Sequence, residues 1–151
     1  MPILDLTDLP PGPLLDLDLG EKTVGVAATD VSRGIATPVG LIRKAKFTAD
    51  AEALFRLMAD RGTTALVIGL PLNMDGSEGP RAQSSRAFAR NLLRLRPELP
   101  IAFWDERLST AAVERQLIGA LDMSRARRAE VVDQNAAAWI LQGALDRLRA
   151  G

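Results

Sequence analysis

The chain has 151 residues, of which 19 are Lys or Arg and 19 are Asp or Glu, and it contains no His, Cys or Tyr. A chain of this length is typical of one domain that is large enough to bury a core. Without His or Cys, a Ser-His or Cys-His nucleophile pair, a disulfide and a zinc site of the usual kind are excluded. Any catalysis must therefore use carboxylates, hydroxyls, Lys or Arg, and any bound metal should be a hard cation held by oxygen.

Charge is unevenly distributed along the chain, although the formal net charge is zero. Residues 1–21 hold five acidic residues and no basic one, so all 19 basic residues and 14 acidic ones lie beyond residue 21, a net +5. This excess is milder than that of a dedicated nucleic-acid binder. The N-terminus lacks the basic region of a secretory signal, and no apolar run approaches the ~20 residues of a membrane span. We therefore expect a cytoplasmic protein without a membrane partner.

The first third of the chain predicts a leader followed by three strands. Residues 1–13 are rich in Pro and are predicted to form a flexible or extended leader. Residues 14–19 read Leu-Leu-Asp-Leu-Asp-Leu, a pattern that places leucines on one face of a strand and two aspartates on the other. Residues 23–29 and 35–43 are predicted to be the second and third strands, joined antiparallel by turns.

The remainder of the chain alternates helices with strands. We predict a helix from near Asp50 to Gly62, a strand at 65–69, a loop at 71–80, a helix at 81–95, a strand at 101–104, and helices at 110–121 and about 126–149. Strands separated by helices indicate parallel neighbours. The order βββ-α-β-α-β-α-α therefore predicts one α/β domain over residues 14–151, with a mixed five-stranded sheet and helices on both faces.

Three acidic residues are candidates for a shared site. Asp18 lies near the end of the first strand, Glu106 follows the last strand, and Asp133 lies early in the final helix. Apolar residues follow Asp133 at helical spacing, which places its side chain on the face that meets the sheet. A buried charge without compensation is costly, and a metal ion shared by three carboxylates would supply that compensation. The alternative is that each acid is a cap, a salt-bridge partner or a solvated loop residue.

A carboxylate cluster has a specific use in phosphodiester chemistry. Two hard divalent ions held ~3.5–4 Å apart can activate water and stabilise the leaving oxygen of a phosphodiester. Carboxylates suit Mg²⁺ or Mn²⁺ and require no His. The trio is therefore compatible with a site for two such ions.

Four motifs, in order along nearly the whole chain, resemble those of the YqgF/RuvX family. Residues 18–27 are similar to its first-strand motif D-x-G-x-K-R-I-G-V-A, and residues 69–79 to its loop G-L-P-x-N-x-D-G-S-x-G. Residues 105–110, Asp-Glu-Arg-Leu-Ser-Thr, are similar to its D-E-R-x-[ST]-[ST] motif, and residues 132–137 to its closing V-D-x-x-A-A. The long loop and the Asp-Glu-Arg motif are the most specific of the four.

The resemblance implies an RNase H-like three-layer fold and a nuclease activity. Members are described as Holliday junction resolvases or as nucleases that mature the 5′ end of pre-16S rRNA. By position, Asp18, Glu106 and Asp133 match the family's metal-binding carboxylates. The expected function is metal-dependent hydrolysis of phosphodiester bonds in structured RNA. The alternatives are cleavage of four-way DNA, for which a homodimer would be suited, and a non-catalytic module that binds RNA or a ribosome-assembly partner.

The sequence departs from the family pattern at two positions near Asp18. Asp16 stands where the family usually has Gly; it is either an additional metal ligand or a partner for a nearby Arg. Thr23 replaces the Arg of the Lys-Arg pair, which weakens any predicted phosphate contact there. Asp105 adjoins Glu106 but is expected to point to the opposite face if the strand continues through it.

Basic residues and a glycine-containing loop complete the predicted site. Lys22, Arg81, Arg107 and Arg128 are the candidate contacts to nucleic-acid phosphates. The loop at 71–80 is predicted to be flexible and to close over substrate, with hinges at two of its glycines. Its candidate residues are Asn73, Asp75, Gly76, Ser77 and Gly79.

Overall fold

A computed structural model describes residues 3–29, 36–73, 75–105, 138 and 141–146. After a short 3₁₀ turn at Leu6–Asp8, the elements are β1 (Leu14–Leu19), β2 (Thr23–Thr29), β3 (Ala36–Arg43), α1 (Phe47–Arg61), β4 (Ala65–Leu70), α2 (Pro80–Leu95) and β5 (Ile101–Asp105). Ala138 and residues 141–146 are also helical. The predicted helix at 110–121 and most of the predicted final helix lie outside the described residues.

The five strands form one mixed sheet in the order β3-β2-β1-β4-β5. β1 pairs antiparallel with β2 and parallel with β4, and β4 pairs parallel with β5. The carboxyl ends of β1, β4 and β5 therefore meet at one edge of the sheet. This arrangement confirms the predicted α/β fold class, including three antiparallel strands followed by parallel ones.

The two faces of the sheet have different coverings. Leu15, Leu17 and Leu19 of β1 belong to a core that includes apolar side chains of α1 and α2, and we call this side the helix face. Leu14 belongs to the other core, which includes Leu141 and Leu145 of the C-terminal helical residues. The two aspartates of β1 alternate with the leucines and share the side of Leu14, which we call the acid face. Helical residues thus cover both faces, as predicted.

The N-terminal segment is packed against the sheet, which differs from the predicted flexible leader. The amide of Leu4 donates a hydrogen bond to the carbonyl of Ile101 at 2.8 Å, and Leu4 forms a bridge with Ala102. Leu6 and Leu9 are buried in the acid-face core. The Pro-rich composition favours a flexible or extended segment, but it carries no information about these long-range contacts.

Local signals explain the helix boundaries. α1 begins at Phe47, three residues before the predicted start, and Asp50 accepts a hydrogen bond from the amide of Ala45 at 3.0 Å. α1 ends at Gly62, whose φ of 63° is in the left-handed region that glycine adopts without strain. α2 begins with Pro80, which suits a first helical position because its missing N–H would have no helical partner there. Among the described residues, no helix has the length and apolar character needed to cross a membrane.

Candidate active site

β1 carries two buried carboxylates toward the shared edge of the sheet. Asp16 is 0% exposed and lies in register with Ala27 of β2 and Val67 of β4. Asp18 is 7% exposed and lies in register with Gly25 of β2. The two aspartates are two residues apart on the same face, ~6.6 Å along the strand. Asp18 is the one nearer the edge where β1, β4 and β5 end.

The other two predicted acids lie near residues of the acid-face core in the sequence. Gly69 of β4 lies in register with Trp104 of β5, and Trp104 is part of the acid-face core. Glu106 follows Trp104 by two positions, and Asp133 precedes the acid-face residue Ala138 by five. Both acids lie outside the described residues, as do Arg107 and Arg128. Of the predicted trio, only Asp18 is therefore placed by the structure.

The chemistry of the described carboxylates suits a hard cation. Within residues 3–29, 36–73, 75–105, 138 and 141–146, no three acidic side chains form a metal-binding group, and two of the three predicted ligands lie outside those ranges. Asp18 nevertheless offers oxygen donors that Mg²⁺ and Mn²⁺ prefer, on a face where a lone charge would be costly. The one predicted ligand that the structure describes, Asp18, is thus compatible with such an ion.

Asp105 ends β5 and is partly buried. The next residue back, Trp104, is in the acid-face core, whereas Phe103 packs against the helix-face core. Strand alternation therefore puts Asp105 on the helix face, opposite Asp18. Its predicted orientation relative to Glu106 lies outside the described residues.

Lys22 and Arg81 come together at the carboxyl end of β1, although they lie far apart in the sequence. Both line a hollow of about 680 Å³ at the β1–β2 turn. Arg81 Nη2 donates a hydrogen bond to the carbonyl oxygen of Leu19, the residue after Asp18, at 3.3 Å. Arg43 lines the same hollow, and the sequence interpretation missed it. The pairing of Arg43 with Thr23 in the β2–β3 hairpin is the feature that could have indicated it.

The predicted flexible loop contains an internal hydrogen-bond network. Asp75 Oδ1 accepts hydrogen bonds from the amide of Ser77 at 2.9 Å and from its hydroxyl at 2.6 Å. Asn73 Nδ2 donates to Ser77 Oγ at 3.0 Å, and the amide of Asn73 donates to the carbonyl of Ser77 at 2.9 Å. Gly76 has a φ of 90°, whereas Gly79 has a φ of −93°. Of the two predicted hinge glycines, only Gly76 therefore adopts a backbone conformation that favours glycine.

An ion pair ties the end of this loop to α2. Glu78 and Arg86 are joined by hydrogen bonds of 2.6 and 2.8 Å. The hydrogen bond from Arg86 lowers the pKa of Glu78 below its ordinary value of 4.5. The Arg86 guanidinium also lies over the Phe103 ring at 5.0 Å, which connects the loop to β5. The end of the loop is thus held close to the carboxyl edge of the sheet.

The strand order and the buried aspartate at the edge of β1 define the class of protein, an RNase H-like α/β protein. Two solved structures share this fold. The RuvC of T. thermophilus in complex with a Holliday junction substrate matches with a TM-score of 0.53 and 8% identity, covering 91% of this chain and 96% of that one. The yeast mitochondrial Holliday junction resolvase Ydc2 matches with a TM-score of 0.51 and 10% identity, covering 96% and 85%.

The chain belongs to the RuvX family. A family model described as "RuvX: Holliday junction resolvase" matches residues 12–147. A protein of Phenylobacterium zucineum is 67% identical over 99% of both chains, and one of Caulobacter vibrioides strain NA1000 is 63% identical over 99% of both. Both relatives carry the name "Putative pre-16S rRNA nuclease". The predicted family resemblance is therefore confirmed.

Proposed function

We propose that this chain is a metal-dependent nuclease that hydrolyses phosphodiester bonds in structured RNA, in maturation of the 5′ end of pre-16S rRNA. The observation that carries the proposal is the buried Asp18 at the edge where β1, β4 and β5 end. Membership in the RuvX family and the names of the relatives support the choice of reaction and substrate. The expected location is the cytoplasm, where this substrate would be met.

Each residue has a defined task in this proposal. Asp18, with Glu106 and Asp133, would hold Mg²⁺ or Mn²⁺, as two ions. When bound, such ions lower the pKa of water and offset the charge of the phosphodiester. Burial of Asp18 fixes its carboxylate and limits competition from solvent. Lys22, Arg81, Arg107 and Arg128 would bind flanking phosphates and orient the strand.

The first test is the Asp18→Asn variant assayed with Mn²⁺ on a precursor-rRNA fragment. We expect cleavage to fall by more than about 100-fold, because even groups that only orient a metal ligand are worth about 10–100-fold. The melting temperature should change little, since Asn has nearly the shape of Asp. Asp60→Asn is the matched control, because Asp60 is an exposed residue of α1 and loses the same charge. Retained cleavage by Asp18→Asn would overturn the assignment.

A second candidate function is resolution of four-way DNA junctions, favoured by the description of the family model. Phosphate contacts carry no sequence information, so residue identity does not separate the two substrates. Incubating the protein and its Asp133→Asn variant with both a junction and the rRNA fragment distinguishes them. Symmetric junction cleavage would further require a homodimer, which sedimentation measures.

The third candidate is a module that binds RNA or a ribosome-assembly partner without cutting. A metal-holding trio has no role in such a module. Calorimetry in which millimolar Mn²⁺ does not bind, together with intact RNA after long incubation, would favour it over the nuclease.

A further inference from the structure

A strip of positive charge lies at the β1–β2 turn, which follows Asp18 in the chain, and it includes residues that were not predicted from the sequence. Two adjoining hollows form it, of about 680 and 270 Å³, and they share Gly20, Glu21 and Arg81. Lys22 and Arg43 line the first hollow, and Lys44 lines the second. We call the two hollows together the basic groove.

Backbone contacts hold the basic groove in shape. The amide of Gly20 donates to the carbonyl of Thr23 at 2.9 Å, which closes the β1–β2 turn. A Cβ on Gly20 would lie 3.2 Å from that carbonyl oxygen, so a larger residue would crowd the turn. The amide of Lys44 donates to the carbonyl of Lys22 at 2.8 Å, which sets the backbones of the two lysines next to each other, just beyond the ends of β2 and β3. Backbone hydrogen bonds at the end of the sheet therefore position part of the groove.

The charge balance of the groove favours an anionic ligand with several charges. Among the residues that the structure describes, four basic side chains line it, against the single carboxylate of Glu21. Three of the four, Lys22, Arg43 and Arg81, are exposed, so their cationic groups are accessible. A guanidinium has five N–H donors, so Arg81 can donate to the Leu19 carbonyl and still bind a phosphate. Thr23 and Ser84 add hydroxyl donors along the same path.

The groove leads to the candidate active site. Leu19 and Gly20, which line it, directly follow Asp18 on β1. A strand lying in the groove would therefore approach the carboxyl end of β1, near which Asp18 lies.

We propose that the basic groove binds the phosphodiester backbone of the nucleic-acid strand that enters the Asp18 site, with Arg43 and Lys44 as phosphate-binding residues alongside Lys22 and Arg81. The proposal rests on the nuclease function proposed above, and it adds two binding residues and a direction of approach. RNA and DNA share this chemistry, so the test uses both.

The register of the β2–β3 hairpin determines which residue lies opposite Arg43. Arg43 lies directly opposite Thr23, and both line the larger hollow. Thr23 stands where the family pattern has Arg. Since paired residues on antiparallel strands project on the same side, Arg43 brings a guanidinium to this part of the groove from the neighbouring strand.

The test measures binding of fluorescent single-stranded RNA and DNA of one sequence by anisotropy, in EDTA, over a range of salt concentrations. The groove variant is Arg43→Ala with Lys44→Ala. The control, Arg56→Ala with Arg61→Ala, removes the same charge from exposed positions of α1 outside the groove. Circular dichroism establishes that both variants are folded, which is expected because the Lys44 contact to Lys22 uses backbone atoms.

The groove variant should lose affinity in a salt-dependent way. Each phosphate contact to a single strand contributes roughly 0.7 to the slope of log K against log salt, so the slope should become shallower by about 1.4. The loss in affinity should be about 25-fold at roughly 0.1 M salt and should vanish near 1 M. Equal losses in the groove and control variants, or no loss in either, would overturn the proposal. Loss with both RNA and DNA assigns the contacts to their shared phosphates, and loss with one identifies the substrate strand.

A second measurement moves the guanidinium from position 43 to position 23. Thr23→Arg added to Arg43→Ala should restore affinity, because it returns a guanidinium to the same hollow from the opposite strand. Failure to restore affinity would contradict the place given to Arg43.

The binding test and the cleavage test fail independently. If binding depends on the groove but cleavage does not depend on Asp18, the proposed nuclease function is contradicted and the groove is still supported as a binding surface. If cleavage depends on Asp18 but the groove variant binds as the wild type does, the proposed role of the groove is contradicted and the nuclease function is still supported.

Discussion

β1 contributes three leucines to the helix face of the sheet and Leu14, Asp16 and Asp18 to the acid face, and all six side chains are buried. On the helix face, each buried leucine stabilises the fold by about 1.5–3 kcal/mol relative to an exposed one. On the acid face, Leu14 packs into an apolar core as well, but burial of the two aspartates costs hydration that polar contacts must offset. The difference indicates that the leucines of β1 stabilise the fold on both faces, whereas its aspartates are not explained by hydrophobic burial.

The largest loss of stability is expected from a cavity on the helix face. Leu17→Ala should lower the free energy of unfolding by about 2–5 kcal/mol, because Leu17 is completely buried between the sheet and the helices. Urea denaturation measures the loss. Leu95→Ala is the control, since Leu95 is 52% exposed and its truncation should have little effect. Similar losses in the two variants would contradict the role assigned to the helix face.

A smaller effect is expected from a polar contact at the far end of β1. Thr29 Oγ1 accepts a hydrogen bond from the buried amide of Leu14 at 2.8 Å. Thr29→Val keeps the shape but leaves that amide without its acceptor, so the free energy of unfolding should fall by about 1–3 kcal/mol. Thr48→Val, at an exposed position of α1, should change it by less than about 0.5 kcal/mol. An unchanged stability in Thr29→Val would show that the hydrogen bond adds nothing to the acid-face core.

The smallest effect concerns the surface ion pair at the edge of the sheet. Because the hydrogen bond from Arg86 lowers the pKa of Glu78, the pair stabilises the folded state above the ordinary pKa of 4.5. That contribution should disappear as the pH falls through the lowered value. An NMR titration of the Glu78 carboxyl should show the lowered pKa in the wild type and a higher one in Arg86→Met. The same midpoint in both proteins would exclude Arg86 as the cause.

The amino-acid sequence determined the local structure of this protein closely. The Leu-Leu-Asp-Leu-Asp-Leu alternation predicted β1 at residues 14–19, and the apolar run at 65–69 predicted β4 to within one residue. Gly62 and Pro80 marked the end of α1 and the start of α2. These signals succeed because strand alternation, glycine in a left-handed cap and proline in a first helical turn are properties of neighbouring residues.

The motifs also identified the candidate site, but only in part. They selected Asp18, Lys22 and Arg81, which the structure brings to one end of β1. They did not indicate Arg43 or Lys44, because those residues stand in no motif and reach the groove only through the pairing of β2 with β3. The sequence did not indicate the hydrogen bonds within residues 73–77 either, because a loop that contains two Gly and two Pro is usually interpreted as flexible.

The sequence by itself thus determined which segments are strands and helices, which family the chain resembles, and which acids are candidates for the site. Only the tertiary structure decided that the N-terminal leucines join the core, that Asp16 and Asp18 share a buried face, and that four basic residues from separate segments form one groove. The physical reason is the range of the interactions. Helix caps and side-chain periodicity act within a few residues, whereas sheet register and burial depend on segments that meet only when the chain folds.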